Sequence, residues 1–523
     1  MPNKDLTDIK KVTKRSQKEF FRFGMGLMFV VAIMIYTSQG LGLTSPQGIM
    51  LVVASMIGGY MAMNIGANDV ANNVGPAVGS KSITMTGAII IAAIFEVMGA
   101  LIGGAEVVAT IRGNIIDPKA IPQGDHFIWM MTASLLAGAL WLNFATAVGA
   151  PVSTTHSIVG AVLGAGIAAG GLGAANWSMM SGIVASWVIS PLMGGAVAAG
   201  FLFWIKRAIT YKSDMVEAAR RTVPILIGLM AFAFCAYLIL KGLSHEFAMR
   251  FSTVMMLSVL VGLVVWYIMK VAISRKAETM ANTKDAINSL FTAPLIFAAA
   301  LLSFAHGAND VANAIGPLAA IADAVLVGGS SPNADVPMWV MMIGALGIAI
   351  GLALYGPKLI RTVGGEITEL DQMRAFCIAM SAALTVILAS QLGLPVSSTH
   401  IAIGGIFGVG FLREHLKANY DKMLEQIRMH HMGSDKEVVE KFLHDFAAAD
   451  QQTKQVMFER LKQSAVELNL TKKEYKKMRR AYKNELVQRS AFKKIIAAWV
   501  VTVPASALMA ALVYYLITLI VRG

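Results

Sequence analysis

Two copies of one polar string, "GANDVANNVGP" from Gly66 to Pro76 and "GANDVANAIGP" from Gly307 to Pro317, lie in runs of Ala, Val, Ile and Met. Each copy brings one carboxylate, Asp69 or Asp310, together with neutral amides: Asn68 and Asn72 in the first, Asn309 and Asn313 in the second. Ionisable groups inside apolar helices are costly, and their default reading is functional. An Asp with several amide oxygens suits a hard cation such as sodium. A purely local role for each Asp, satisfying backbone groups at a helix break, leaves the recurring asparagines unexplained. The flanking Gly66, Gly75, Pro76, Gly307, Gly316 and Pro317 lead us to expect broken helices, whose free carbonyls bind cations and whose free N–H groups bind anions.

A second pair, "PVSTTHS" from Pro151 and "PVSSTHI" from Pro395, supplies Ser153, Thr154 and Thr155, then Ser397, Ser398 and Thr399. Proline followed by hydroxyl residues reads as a helix N-terminus. One copy would be simple capping. Two copies facing one another make a cage of N–H and O–H donors, which suits a tetrahedral oxyanion. Neither string contains Lys or Arg. Charge compensation then falls to helix dipoles and co-bound cations, which predicts obligatory ion coupling. Phosphate keeps one or two protons near neutral pH and can donate to a carboxylate. Sulfate cannot, so the paired aspartates favour phosphate.

The elements that hold these strings are membrane helices. Of 523 residues 56% are hydrophobic and 14% charged, with a mean hydropathy of +0.63; soluble domains carry about 25% charged residues. Apolar runs at 23–41, 47–65, 83–104, 127–148, 149–171, 177–204, 223–241, 251–273, 288–305, 336–355, 373–392, 393–411 and 494–520 predict an all-α polytopic membrane protein with about 12–13 membrane segments. The Gly/Ser/Thr-rich runs 149–171 and 393–411 read as broken or re-entrant hairpins. The first run is too long for a cleaved signal segment and is expected to be retained. Cys235 and Cys377 offer no disulfide framework or metal spacing.

Asp69 and Asp310 are 241 residues apart, and His156 and His400 are 244 apart. This matching order marks two homologous halves. The expected organisation is a basic N-terminus and extra helix at 1–44, a first transport repeat at 45–206, a connecting segment with two membrane helices at 207–285, a second repeat at 286–412, a cytoplasmic helical insertion at 413–493, and the last membrane helix of the second repeat at 494–523. Within the insertion, "SDKE" at Ser434 and "TKKE" at Thr471 read as capping boxes.

The net charge of +13 is concentrated at residues 1–23 and 413–494, next to apolar runs. That is the positive-inside pattern rather than a nucleic-acid patch. It places the N-terminus and the loops with Lys206, Arg207, Arg220, Arg221, Arg275 and Lys276 in the cytoplasm, and the C-terminus outside. The two Asn-Asp helices then run in opposite directions, so the repeats are inverted, a recurrent plan of secondary transporters.

These four strings, in duplicated order, resemble the inorganic phosphate transporter (PiT) family over both halves. The resemblance implies phosphate symport driven by sodium or protons across the plasma (inner) membrane, with no cofactor beyond the co-transported ion. It implies that Asp69, Asp310 and their asparagines, with the hydroxyls at 153–155 and 397–399, form the phosphate and cation sites. It also suggests a homodimer. The amide-rich motifs favour sodium over protons. The late polar insertion and the extra N-terminal helix depart from the family pattern, and bear on regulation rather than transport.

Glu96 in "IAAIFEVMGAL" resembles a family acidic position and suits either a coupling role or a structural hydrogen bond. Gln391 could reach a cation or simply pack. His156 and His400 could relay protons, but fixing the hairpins by hydrogen bonding is the simpler role. The alternatives are a sulfate or other oxyanion permease, an ion channel, and an intramembrane aspartyl protease. Against the last, the chain has no Gly-x-Gly-Asp string, and its Tyr-Asp pair, Tyr420–Asp421, falls in a charged stretch rather than an apolar run. The mechanism expected is alternating access by elevator or rocking motion.

Overall fold

The computed structural model describes residues 2–42, 45–122, 124–147, 152–240, 249–328, 335–365, 371–430 and 489–522. The helix starts expected at Ser434 and Thr471 lie outside these residues, as does Pro151. The order is α1 (Pro2–Ile35), α2 (Pro46–Asn68), α3 (Val70–Gly79), α4 (Met85–Gly103), α5 (Ala105–Ala109), α6 (His126–Ala147), α7 (Thr154–Gly170), α8 (Trp177–Ile205) and α9 (Met215–Leu238). Then follow α10 (Phe251–Ala277), α11 (Lys284–Ser289), α12 (Thr292–Leu326), α13 (Met338–Gly365), α14 (Gln372–Gln391), α15 (Ser398–His430) and α16 (Arg489–Arg522).

Helix starts follow side-chain chemistry. Ser45, Thr84, Ser153, Asn176, Asp214, Asp371 and Ser397 each accept a hydrogen bond from the backbone N–H three residues on. Each cap satisfies one of the donors that a helix N-terminus leaves without an intrahelical partner.

Among the described residues, 11 helices are long and apolar enough to cross a membrane, fewer than the 12–13 segments expected. The difference lies in the two hydroxyl-rich runs. Their serine caps start the helices late: the run at 149–171 yields only the 17 residues of α7. The run at 393–411 opens α15, whose later turns turn polar from Arg413 on.

The Asn-Asp helices are also not broken as expected. Asp69 ends α2 and begins α3, yet its φ of −86° and ψ of −34° are helical and its N–H still bonds the Ile65 carbonyl. The stretch 46–79 crosses as one span, and α12 runs unbroken through Asp310 and Pro317. Proline removes one hydrogen bond, but tight packing on all sides keeps these helices continuous.

The glycines serve close approach instead. A Cβ on Gly66 would run into the Ile348 carbonyl of α13, and one on Gly307 into the Glu96 carbonyl of α4. So the motif helix of each half packs on the helix that follows the motif in the other half. The hydroxyl-rich helices repeat the exchange: α7 meets α16 at Gly164 and Ala507, and α15 meets α8 at Gly408 and Gly195. Small residues that let backbones touch are the usual means of helix association in lipid. Near its far end α12 is held by a buried ion pair between Asp323 and Arg112.

Gly66→Ala and Gly307→Ala are each expected to destabilise the fold by about 1–3 kcal/mol, as overpacking does. Gly182→Ala, which meets open space, should be neutral. Thermal midpoints of the purified variants check this; equal midpoints for all three would remove the close-packing role.

Candidate functional site

α2–α3 and α12 cross the interior, and the N-termini of α7 and α15 point at them. Asn68, Asp69, Asn72, Asn309, Asp310 and Asn313 are all buried, as are Ser153, Thr154, Thr155, Ser397, Ser398 and Thr399. The structure brings all twelve into one cluster.

Its contacts come in matched pairs. Within each half, the first helical hydroxyl donates to the aspartate: Thr154 Oγ1 to Asp69 Oδ2 at 2.6 Å, and Ser398 Oγ to Asp310 Oδ2 at 3.3 Å. Across the halves, the motif amide reaches the next hydroxyl: Asn72 Nδ2 donates to Thr399 Oγ1 at 2.8 Å, and Asn313 Nδ2 to Thr155 Oγ1 at 3.1 Å. A third pair matches in its donors only: Asn68 Nδ2 donates to the carbonyl of Val152, just after Pro151, at 3.5 Å, and Asn309 Nδ2 to that of Leu394, just before Pro395, at 3.2 Å. Thr155 Oγ1 donates to the Val396 carbonyl of the opposite hairpin at 3.0 Å.

The oxygens left over are informative. Asp69 Oδ1, Asp310 Oδ1, Asn309 Oδ1 and Asn313 Oδ1 are buried without a hydrogen-bond partner among the described residues. A buried acceptor without a donor costs about 1–3 kcal/mol, and a bound cation removes that cost. Pro76 and Pro317 add to the supply. Having no N–H, they withdraw the intrahelical donor from the carbonyls four residues earlier, those of Asn72 and Asn313. The donors on the other side are hydroxyls and the first N–H groups of α7 and α15, an environment for an anion. Ser153 and Ser397 themselves cap their helices, bonding the N–H of His156 and His400. The four residues after them therefore carry the hydroxyls that face the motif helices.

Three residues escape the sequence reading. His306, one residue before the second motif, places Nδ1 at 2.8 Å from Glu96 Oε2 and Nε2 at 3.1 Å from Asp310 Oδ2. The second contact is an ion-pair distance without hydrogen-bond alignment. Asn73 Nδ2 donates to Glu96 Oε1 at 2.8 Å, and Ser390 Oγ accepts from Asn309 at 3.0 Å. Ligand atoms of Asp69, His306 and Asp310 lie within 4.8 Å of one another. Comparing the motifs could have flagged His306, because the first copy has Ile65 there. Glu96 thus joins the cluster through His306 and Asn73.

Two expectations need correction. Gln391 is exposed at the end of α14 and does not reach the cluster; its position just before the hairpin turns it outward. His156 does not fix its hairpin by side-chain hydrogen bonds among the described residues. Its ring packs 4.5 Å from that of His400, nearly perpendicular, and 3.9 Å from Trp187, whose Nε1 donates to the Pro395 carbonyl.

The model of the "Phosphate transporter family" matches residues 65–510. A Helicobacter pylori J99 protein, named "Putative phosphate permease", is 52% identical over 98% of this chain and 98% of its own length. A Pyrococcus abyssi protein of similar name is 40% identical over 69% of this chain and 89% of its own. A solved structure titled "The sodium-dependent phosphate transporter" is similar with a TM-score of 0.72 and 29% identity, covering 90% of this chain and 100% of that one. With these motifs, in this geometry, across both halves, the chain belongs to the phosphate transporter family, whose members are transporters and not enzymes.

Proposed function

We propose that this phosphate permease works by symport, importing inorganic phosphate with sodium in preference to protons. The observation that carries this reading is the set of partnerless buried oxygens on Asp69, Asn309, Asp310 and Asn313. They lie beside a cluster whose donors are hydroxyls and helix N-termini. Carboxylates and phosphate repel one another when both are desolvated, so neither can be buried together without cations. Sodium accepts such oxygen ligands, and the sodium-dependent solved relative supports that choice. A proton on either aspartate is the second reading, and it would leave the amide oxygens without a purpose.

In this account Asp69, Asp310 and their asparagines hold sodium, and Thr154, Thr155, Ser398 and Thr399 hold phosphate. The protonated oxygens of phosphate donate to the carboxylates, which selects it over sulfate. The matched contacts of the two halves support an inverted duplication, and the chain is expected in the plasma (inner) membrane with its N-terminus in the cytoplasm and its C-terminus outside. Alternating access moves the loaded hairpins against the motif helices. The homodimer belongs to the same proposal.

Uptake into proteoliposomes with separately imposed sodium and pH gradients tests the coupling. A sodium gradient alone should drive accumulation, whereas accumulation driven only by a pH gradient would overturn the sodium assignment. Asp69→Asn and Asp310→Asn should each lower sodium-driven uptake by about tenfold or more, the scale of a lost charged ligand, while the protein still reaches the membrane. Normal accumulation in both would remove the aspartates from the mechanism. Thr155→Ala and Thr399→Ala should raise the phosphate concentration for half-maximal uptake several-fold, about the effect of one hydrogen bond; unchanged values in both would move the anion site elsewhere.

A further inference from the structure

Between α14 and α15 the residues Gly393 to Val396 belong to no helix, and among the described residues none of their four carbonyls accepts a backbone N–H. Inside a membrane protein such carbonyls need other donors. Four side chains supply them in order. Thr110 Oγ1 donates to Gly393 at 2.7 Å, Asn309 Nδ2 to Leu394 at 3.2 Å, Trp187 Nε1 to Pro395 at 3.0 Å and Thr155 Oγ1 to Val396 at 3.0 Å. Ser397 then caps α15, whose first turn carries Ser398 and Thr399. This row of donors fixes where that turn begins and which way it points.

The four donors are of two kinds. Asn309 and Thr155 belong to the transport cluster. Among the described residues Thr110 and Trp187 hydrogen-bond to none of its twelve side chains, so a ligand need not displace them. Both are buried, Thr110 at 5% exposure and Trp187 at 8%. Thr110 opens a π turn, Thr110–Asn114, that follows α5. Such turns are frequent at functional positions. This one is held against α12, with Ile111 on Gly316 and Arg112 paired with Asp323. Trp187 reaches both hairpins at once. Its N–H serves the second, and its ring lies 3.9 Å from that of His156 in the first, which lies 4.5 Å from that of His400. The two histidines directly follow Thr155 and Thr399, so the three rings set the spacing of the two N-termini.

Both anchors recur in the sequence. The partners of Gly307 and Gly66, Glu96 on α4 and Ile348 on α13, are 252 residues apart. At that spacing the residue matching Thr110 is Thr362. The equivalent contacts of Gly408 with Gly195 and of Gly164 with Ala507 set α8 against α16. Trp187 and Trp499 each stand eight residues before those contact points, so they match one another. Incidental packing gives no reason to keep threonine and tryptophan at both matched positions, whereas a support for duplicated hairpins does.

We propose that Thr110 and Trp187 are positioning residues for phosphate: they anchor the segment 393–396 so that the first turn of α15 presents Ser398 and Thr399 to the anion. The inference rests on the phosphate site proposed above and adds two residues that touch neither phosphate nor cation. Removing either donor leaves a carbonyl without a partner at the foot of α15. The segment then shifts to recover one, and the hydroxyls beyond it leave their places. The loss falls on the phosphate concentration that the site needs rather than on the maximal rate.

The test is phosphate uptake by the full chain in proteoliposomes, with the driving ion saturating and the half-saturating phosphate concentration and maximal rate read separately. Thr110→Val keeps the shape and removes the donor. Trp187→Phe keeps a ring beside His156 and removes the N–H. Each should raise the half-saturating concentration about three- to tenfold, the scale of one hydrogen bond, with little change in maximal rate. Thr110→Ser keeps a hydroxyl and should hold the wild-type value. A purely structural role would instead lower the maximal rate through loss of folded transporter and leave the half-saturating concentration alone. That result overturns the proposal, as does a Thr110→Ser variant that behaves like Thr110→Val. Should Trp187→Phe fail to fold, the two Thr110 variants decide. Thr155→Ala and Thr399→Ala in the same assay keep the two readings apart. Raised values in these, with unchanged values in Thr110→Val and Trp187→Phe, remove the anchors alone; unchanged values in all four remove the phosphate site as well.

Discussion

Everything in this molecule is arranged around the cost of holding carboxylates inside a membrane. Asp69, Asp310 and Glu96 are at most 1% exposed, and an isolated charge at such depth is strongly unfavourable. The fold answers that cost in three ways. Hydroxyls of Thr154 and Ser398 donate to the aspartates, His306 stands between Glu96 and Asp310, and the remaining oxygens, without a hydrogen-bond partner among the described residues, are the ones proposed to hold an ion. Under the proposed function the third answer makes the site conditional, complete only when loaded. A pocket of that kind favours coupled movement over free flow, because either ion alone leaves charge uncompensated.

The same contacts link the site to the packing of the whole chain. Each half lends its motif helix to the other half's following helix, and its hydroxyl-rich helix to the other half's last helix. No half can close the pocket alone. Backbones approach closely at Gly66, Gly307, Gly164 and Gly408 within these pairs, while side-chain hydrogen bonds at the site link one pair to another. Under the proposed function those bonds are the ones that ligands exchange, which would couple binding to the relative position of the pairs through the same atoms. The two aspartates are nevertheless not equivalent. His306 attends Asp310, whereas the matching position near Asp69 is Ile65.

Much of this was legible in the sequence, because duplication makes a polar residue in an apolar run doubly visible. The twelve residues of the two motif pairs were found that way and are brought together by the structure. Glu96 was visible as a lone acid, but its partner His306 was not: it occurs once, and nothing in the spacing links residues 210 positions apart. The glycines and prolines misled in one respect. Their composition suggests helix breaks, yet in a packed interior glycine permits contact and proline merely frees one carbonyl. Gln391 failed because a single step along a helix turns the side chain by about 100°: Ser390 meets Asn309, whereas Gln391 is exposed.

The central claim is that both halves enclose one pocket that holds phosphate and cations together. A density map of the full chain in a lipid bilayer, recorded in sodium and phosphate, tests it most directly. The account predicts a tetrahedral solute between the N-termini of α7 and α15, within hydrogen-bond reach of Thr154, Thr155, Ser398 and Thr399, and compact ion density against Asp69 and Asp310. A tetrahedral solute bound elsewhere along the path, with the aspartates sealed against their own hydroxyl partners, would contradict it.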